Sequence, residues 1–124
     1  MLGSSKAFSG FAVNDVPRAK LFYETTLGLN VSEEDGMLTL HLGSGAEVIV
    51  YPKPDHEPAS FTVLNFPVED IEAAVTALAA KGIEFERYEG TEVETDEQGV
   101  FRGDGPLIAW FKDPAGNVLS VIQL

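Results

Sequence analysis

The chain states one unit twice. Shifted by 55 positions, Phe11 falls on Phe66, Val13 on Val68, Asp15 on Asp70, Val16 on Ile71 and Ala19 on Ala74. Two strand-helix junctions in one register predict two supersecondary units of the same topology, a tighter restriction than composition imposes. In the first unit, Phe8–Val13 reads as a strand and Asp15 as an N-cap whose carboxylate accepts from amides left free at a helix start. Pro17 sits in the first turn, where a missing donor costs nothing. Val16, Ala19, Phe22, Tyr23 and Leu27 recur with helical spacing, and Gly28 supplies a stop. Strands are expected at Leu29–Ser32, at the alternating Met37–Leu42 after an Asp35-Gly36 hairpin signal, and at Glu47–Tyr51 after a glycine-rich turn.

The order β-α-β-β-β then restarts. Phe61–Phe66 is a strand, Asp70 the cap, Ile71, Ala74, Val75, Leu78 and Ala79 the apolar stripe, and Gly82 the stop. Strands at Ile83–Phe85, Leu107–Phe111 and Val118–Gln123 complete it. The fold class is α+β: two tandem βαβββ modules, about 7–52 and about 60–124, within one domain spanning 1–124 and joined by the Pro- and charge-rich stretch Pro52–Ser60. The segment Arg87–Pro106 breaks the symmetry, with Glu89, Glu92, Glu94, Asp96, Glu97 and Asp104 among four glycines. A loop of this length is either a lid or a solvated excursion, and both readings stay open. Val100-Phe101 is its one strong apolar island, with room for a short extra strand.

Composition excludes several classes. Acidic side chains number 20 against 8 basic, for a net charge of -12, which repels a phosphate backbone or an anionic membrane surface. Neither nucleic acid nor membrane is expected as a partner. The absence of cysteine removes thiol nucleophiles, disulfides and zinc-thiolate sites. No apolar run reaches the roughly 18 residues of a membrane span, and Met1–Lys6 lacks the apolar core of a signal peptide, so the expected location is the cytoplasm.

Motifs now join the pattern. The run Gly10-Phe11-Ala12-Val13-Asn14-Asp15, then Ala19, Phe22-Tyr23 and Leu27-Gly28-Leu29, and the closing Trp110-Phe111-Lys112-Asp113-Pro114-Ala115-Gly116-Asn117, resemble the vicinal oxygen chelate superfamily, which includes glyoxalase I, ring-cleaving dioxygenases and bleomycin-resistance proteins. These motifs are scaffold: Phe22 and Tyr23 pack a helix on its sheet, and Asp113–Asn117 has the residues a tight hairpin demands. The resemblance implies two curled mixed sheets enclosing an open cleft, which in the metalloenzymes holds a divalent metal on His, Gln or Glu from four strand positions. Such a metal holds neighbouring substrate oxygens and stabilises the negative charge forming there.

Carried onto this chain, the four positions fall on Phe8, on Ile49 or its same-parity neighbour Tyr51, on Val63, and on Ser120. Phenylalanine, isoleucine and valine cannot ligate, and an unassisted serine hydroxyl is a poor ligand for borderline metals. The resemblance therefore implies no metal and no other cofactor. A metal-free cleft binds by stacking and burial, so Trp110, Phe8, Phe101 and Tyr51 are candidate walls, with Asn65 and Ser120 as polar contacts and His41 sharing a strand face with Met37 and Thr39. His56, in Pro54-Asp55-His56-Glu57-Pro58, reads as part of a surface turn.

Three functions follow from these residues. The first is a metal-free binder of a small neutral or cationic molecule, working as a homodimer like other short members of the superfamily. The second is a glyoxalase-like lyase or isomerase, or a dioxygenase relative, using displaced ligands such as His41, Glu47 or Glu89. The third is an accessory subunit with no cleft ligand.

Overall fold

A computed structural model describes residues 1–88 and 90–124. They divide into two compact units, Met1–Glu57 and Pro58–Leu124. Each unit builds one open four-stranded mixed sheet.

In the first unit, a 3-10 turn (Leu2–Ser4) precedes β1 (Ser9–Val13), followed by α1 (Val16–Lys20), a π-helical turn (Leu21–Thr26), β2 (Asn30–Glu34), β3 (Met37–His41) and β4 (Glu47–Pro52). The Asp15 carboxylate accepts from the Arg18 amide at 3.1 Å, which sets the helix start where the cap residue predicted it. The wider π turn brings the adjacent Phe22 and Tyr23 both into the core, where Tyr23 is fully buried and its ring lies 5.9 Å from Phe11. Asp35 and Gly36 both take positive φ, 53° and 78°, the pair that a two-residue hairpin between β2 and β3 requires. The sheet order is β1-β4-β3-β2, with β1 parallel to β4. Phe11, Val13, Leu38, Leu40, Val48 and Val50 form its buried face, against which α1 packs.

The second unit repeats the plan with β5 (Thr62–Pro67), α2 (Ile71–Ala80), β6 (Val100–Phe101), β7 (Leu107–Lys112) and β8 (Val118–Gln123) in the order β5-β8-β7-β6. Asp70 caps α2 through the Ala73 amide at 3.2 Å. The Gln123 side chain, reaching from β8, accepts from the Ile71 amide at 2.9 Å and ties the last strand to the helix start. Asp113 and Asn117, both buried, close the β7-β8 hairpin. One Asp113 oxygen accepts from the Ala115 and Asn117 amides, and the other from the Asn117 side-chain amide at 3.0 Å.

Two expectations need correction. Ile83–Phe85 forms no strand: it contributes a single bridge, Phe85 to Phe111, while the Phe85 and Phe111 rings pack at 5.6 Å. The edge position that β2 holds in the first sheet belongs here to β6, the Val100-Phe101 island, so the module order survives with a different strand. Burial accompanies the exchange, because Val100 is fully buried against β7 whereas Ile83 and Phe85, despite their apolar-polar-apolar alternation about Glu84, are only half-buried. The first strand also starts one residue late, leaving Phe8 outside β1 and 71% exposed.

Candidate functional site

Each sheet has one face turned to its helix and one turned away. On the helix-free face of the first sheet, strand parity gathers Ile49 and Tyr51 from β4 with Met37, Thr39 and His41 from β3. Register adds Ser32 opposite Thr39, and Glu47 opposite His41. His41 Nε2 lies 2.8 Å from Ser32 Oγ, and its Nδ1 lies 3.5 Å from a Glu47 carboxylate oxygen. Gly10 on β1 lies in register with Ile49, and a β-carbon there would meet the Ile49 carbonyl at 3.0 Å and the Tyr51 ring at 3.8 Å. Glycine avoids that tight approach to the Ile49 carbonyl.

The helix-free face of the second sheet holds Asn65, Phe101, Trp110 and Ser120, with Trp110 paired to Ser120 and Ser120 to Asn65. Ser120 is fully buried and its hydroxyl donates to Asn65 Oδ1 at 2.6 Å. Val63 lies at a β-bulge between Thr62 and Leu64, where β5 spends two steps against one on β8. The bulge puts Thr62, like Asn65, on the helix-free face, where the Trp110 indole N–H donates to the Thr62 hydroxyl at 3.1 Å. That bond fixes the indole edge and leaves its faces for stacking.

Around this indole lies an open pocket of about 430 Å³, lined by Phe61, Thr62, Tyr88, Val93 and Trp110 with Ser60, Thr91 and Val118 at its margins. The Tyr88 ring sits 5.3 Å from Trp110 and the Phe101 ring 6.1 Å from it. Burial first, and the nearby Glu86 carboxylate second, push the Tyr88 phenol above its usual range, so it stays a neutral donor at physiological pH. A second hollow, about 540 Å³, lies beside α2 among Val75, Ala79, Phe85, Glu84, Arg87 and Glu97. Although larger, it offers no converging aromatic faces: Phe85 is its one ring, and that ring is engaged with Phe111. The smaller pocket has the composition of a ligand site.

The structure brings Asn65 to Ser120 and Phe101 to Trp110, and it sets Ile49, Tyr51 and His41 on one sheet face, while Phe8 stands apart at the start of β1. Glu89, a candidate displaced ligand, lies outside the described residues. Tyr88 and Val93 escaped sequence reasoning because strand and helix periodicities do not run through residues 87–95, Phe61 because the strand expected to begin with it starts one residue later, and Thr62 because the bulge shifts parity by one. The residues at the four superfamily ligand positions do not fit a metal. Phe8, Val63 and Ile49 lack a donor atom, Tyr51 at the alternative second position offers only a phenol, the Ser120 hydroxyl is already engaged, and no three His, Asp or Glu side chains converge among the described residues.

The chain belongs to the glyoxalase/bleomycin resistance protein/dioxygenase superfamily, whose model matches residues 8–121. It is similar to the solved glyoxalase family protein from Enterococcus faecalis, at 24% identity and a TM-score of 0.70 over 98% of this chain and 99% of that one. It is also similar to TnmS3, an antibiotic binding protein from Streptomyces sp. CB03234, at 22% identity and a TM-score of 0.67 over 97% of each chain. A glyoxalase/bleomycin resistance protein/dioxygenase from Alicyclobacillus acidocaldarius shares 17% identity with a TM-score of 0.66, over 97% of this chain and 91% of that one. No significant match exists among curated proteins.

Proposed function

We propose that this chain is a metal-free small-molecule-binding protein of the glyoxalase/bleomycin-resistance type, holding a drug or metabolite rather than transforming it. The observation that carries the proposal is the aromatic pocket at Trp110, where Tyr88 and Phe61 converge on an indole already oriented by Thr62. Phe8, Ile49, Val63 and Ser120 at the superfamily's ligand positions support it, as does the antibiotic-binding neighbour, by analogy of fold alone. The net charge of -12 favours a neutral or cationic ligand over an anionic one.

Trp110 is the sole tryptophan, so its emission reports the pocket directly. Titrating a panel of aromatic neutral and cationic drugs should yield saturable quenching for at least one, unchanged by EDTA and lost in Trp110→Phe when followed by calorimetry. A panel without any saturable response would remove the proposal's support. The second reading, a glyoxalase-like lyase or isomerase, draws on His41, whose ring is held between Ser32 and Glu47 in an orientation suited to a proton acceptor. Turnover of an oxoaldehyde-thiol adduct, abolished by His41→Ala, would favour that reading over binding alone.

A further inference from the structure

We infer that Glu72, Arg102 and Asp96 form a latch that holds the Tyr88 wall of the Trp110 pocket in place against the indole. The inference rests on that pocket being the ligand site, and it concerns how the site is kept shaped. The strand beside the wall, β6, has only two residues, and among the described residues of the wall, 87–88 and 90–95, the one ladder pairing is a single bridge from Thr95 to Phe101. Side chains therefore supply what the ladder does not. The Tyr88 amide donates to Thr95 Oγ1 at 3.1 Å, and the Thr91 hydroxyl donates to the Tyr88 carbonyl at 2.8 Å. Next to Thr95, the Asp96 carboxylate accepts from the Gln98 and Val100 amides at 2.8 and 2.9 Å and from Arg102 Nε at 2.8 Å. Arg102 Nη2 then donates to Glu72 on α2 at 2.8 Å.

Alternation along the strand lets one dipeptide serve both faces. Phe101 points to Trp110 while the next residue, Arg102, reaches the helix. Gly103 follows because the Phe101 ring folds over it, and a β-carbon there would stand 2.3 Å from that ring. The guanidinium thus forks between a carboxylate adjoining the wall and one on the helix, a geometry that lysine cannot reproduce. Both pairs are partly exposed, so each shifts an open-closed balance by only roughly two- to fivefold. That small margin is what a wall that must admit a ligand requires.

Acrylamide quenching of Trp110 emission and amide hydrogen exchange test the latch without any ligand. Arg102→Gln and Glu72→Gln should each steepen the quenching and quicken exchange across 90–99 by roughly two- to fivefold, with exchange in β8 unchanged. Arg102→Lys should fall between them and the parent. Molar salt should open the parent and add little to Arg102→Gln. Parent-like quenching and exchange in both Gln variants would overturn the latch, and Glu72→Gln, a change on an exposed helix surface, decides the matter should the Arg102 variant fold poorly. The two readings separate cleanly. Opening in these variants without any drug titrating Trp110 supports the latch and counts against the binding function, whereas drug binding with variants indistinguishable from the parent does the reverse.

Discussion

Asp113 shows how much one carboxylate can organise. Buried between the ends of β7 and β8, it satisfies two backbone amides and the Asn117 side chain, so Asp113→Ala would strand those donors away from water. The expected cost is about 3 kcal/mol, seen as a fall in melting temperature of about 10 °C by calorimetry. This residue was legible in advance, because Pro, Gly and Asn at those offsets allow few other conformations. Trp110 was legible as a candidate from being the sole tryptophan on a strand, but its Thr62 partner was not. A bulge is set by how two strands meet, and one strand's own pattern carries no trace of it.

Among the elements, the two helix caps and the hairpins stand where local chemistry put them, while the edge strand of the second sheet does not. Ile83–Phe85 and Val100-Phe101 are both short segments with apolar side chains, and only which of them pairs along β7 decides between them, a tertiary outcome that neither segment's own pattern carries. The same stretch has a pH response of its own. Burial opposes ionisation of Asp96, yet the hydrogen bonds from Arg102 and from the Val100 and Gln98 amides prevail and hold its carboxyl below the ordinary 3.8. Arg102 and Glu72 are the other charged groups in that network. A lowered native value means that the stabilisation is complete above the unfolded carboxylate's pKa and fades as pH falls through the native one. Protection across 90–99, measured against the intrinsic exchange rate at each pH, should therefore fall below about pH 4 ahead of global acid unfolding, and Asp96→Asn should remove that early step.

At the scale of the whole molecule, the repeat, the family motifs and the α+β class were all visible in the chain, because each is written in local residue order. Metal chemistry is the sharpest test at this scale. The proposed metal-free function expects a melting temperature indifferent to EDTA and to added zinc, nickel or manganese, since a native-state ligand at a hundred times its Kd would add about 2.7 kcal/mol of stability. A rise of several degrees with one of these ions would point to a site built from other residues than Phe8, Ile49, Val63 and Ser120. Among the described residues no helix is long and apolar enough to cross a membrane.

The unequal edge strands have a consequence for how the protein behaves among copies of itself. With two residues, β6 presents almost no unpaired backbone to a passing strand, whereas β2 offers a five-residue rim at the outside of its sheet. That rim ends in Glu33 and Glu34, with Lys20 drawn alongside Glu33 at 3.5 Å. Like charges brought edge to edge repel, so the acidity that reads in the composition as solubility is concentrated here as a guard against strand-by-strand aggregation.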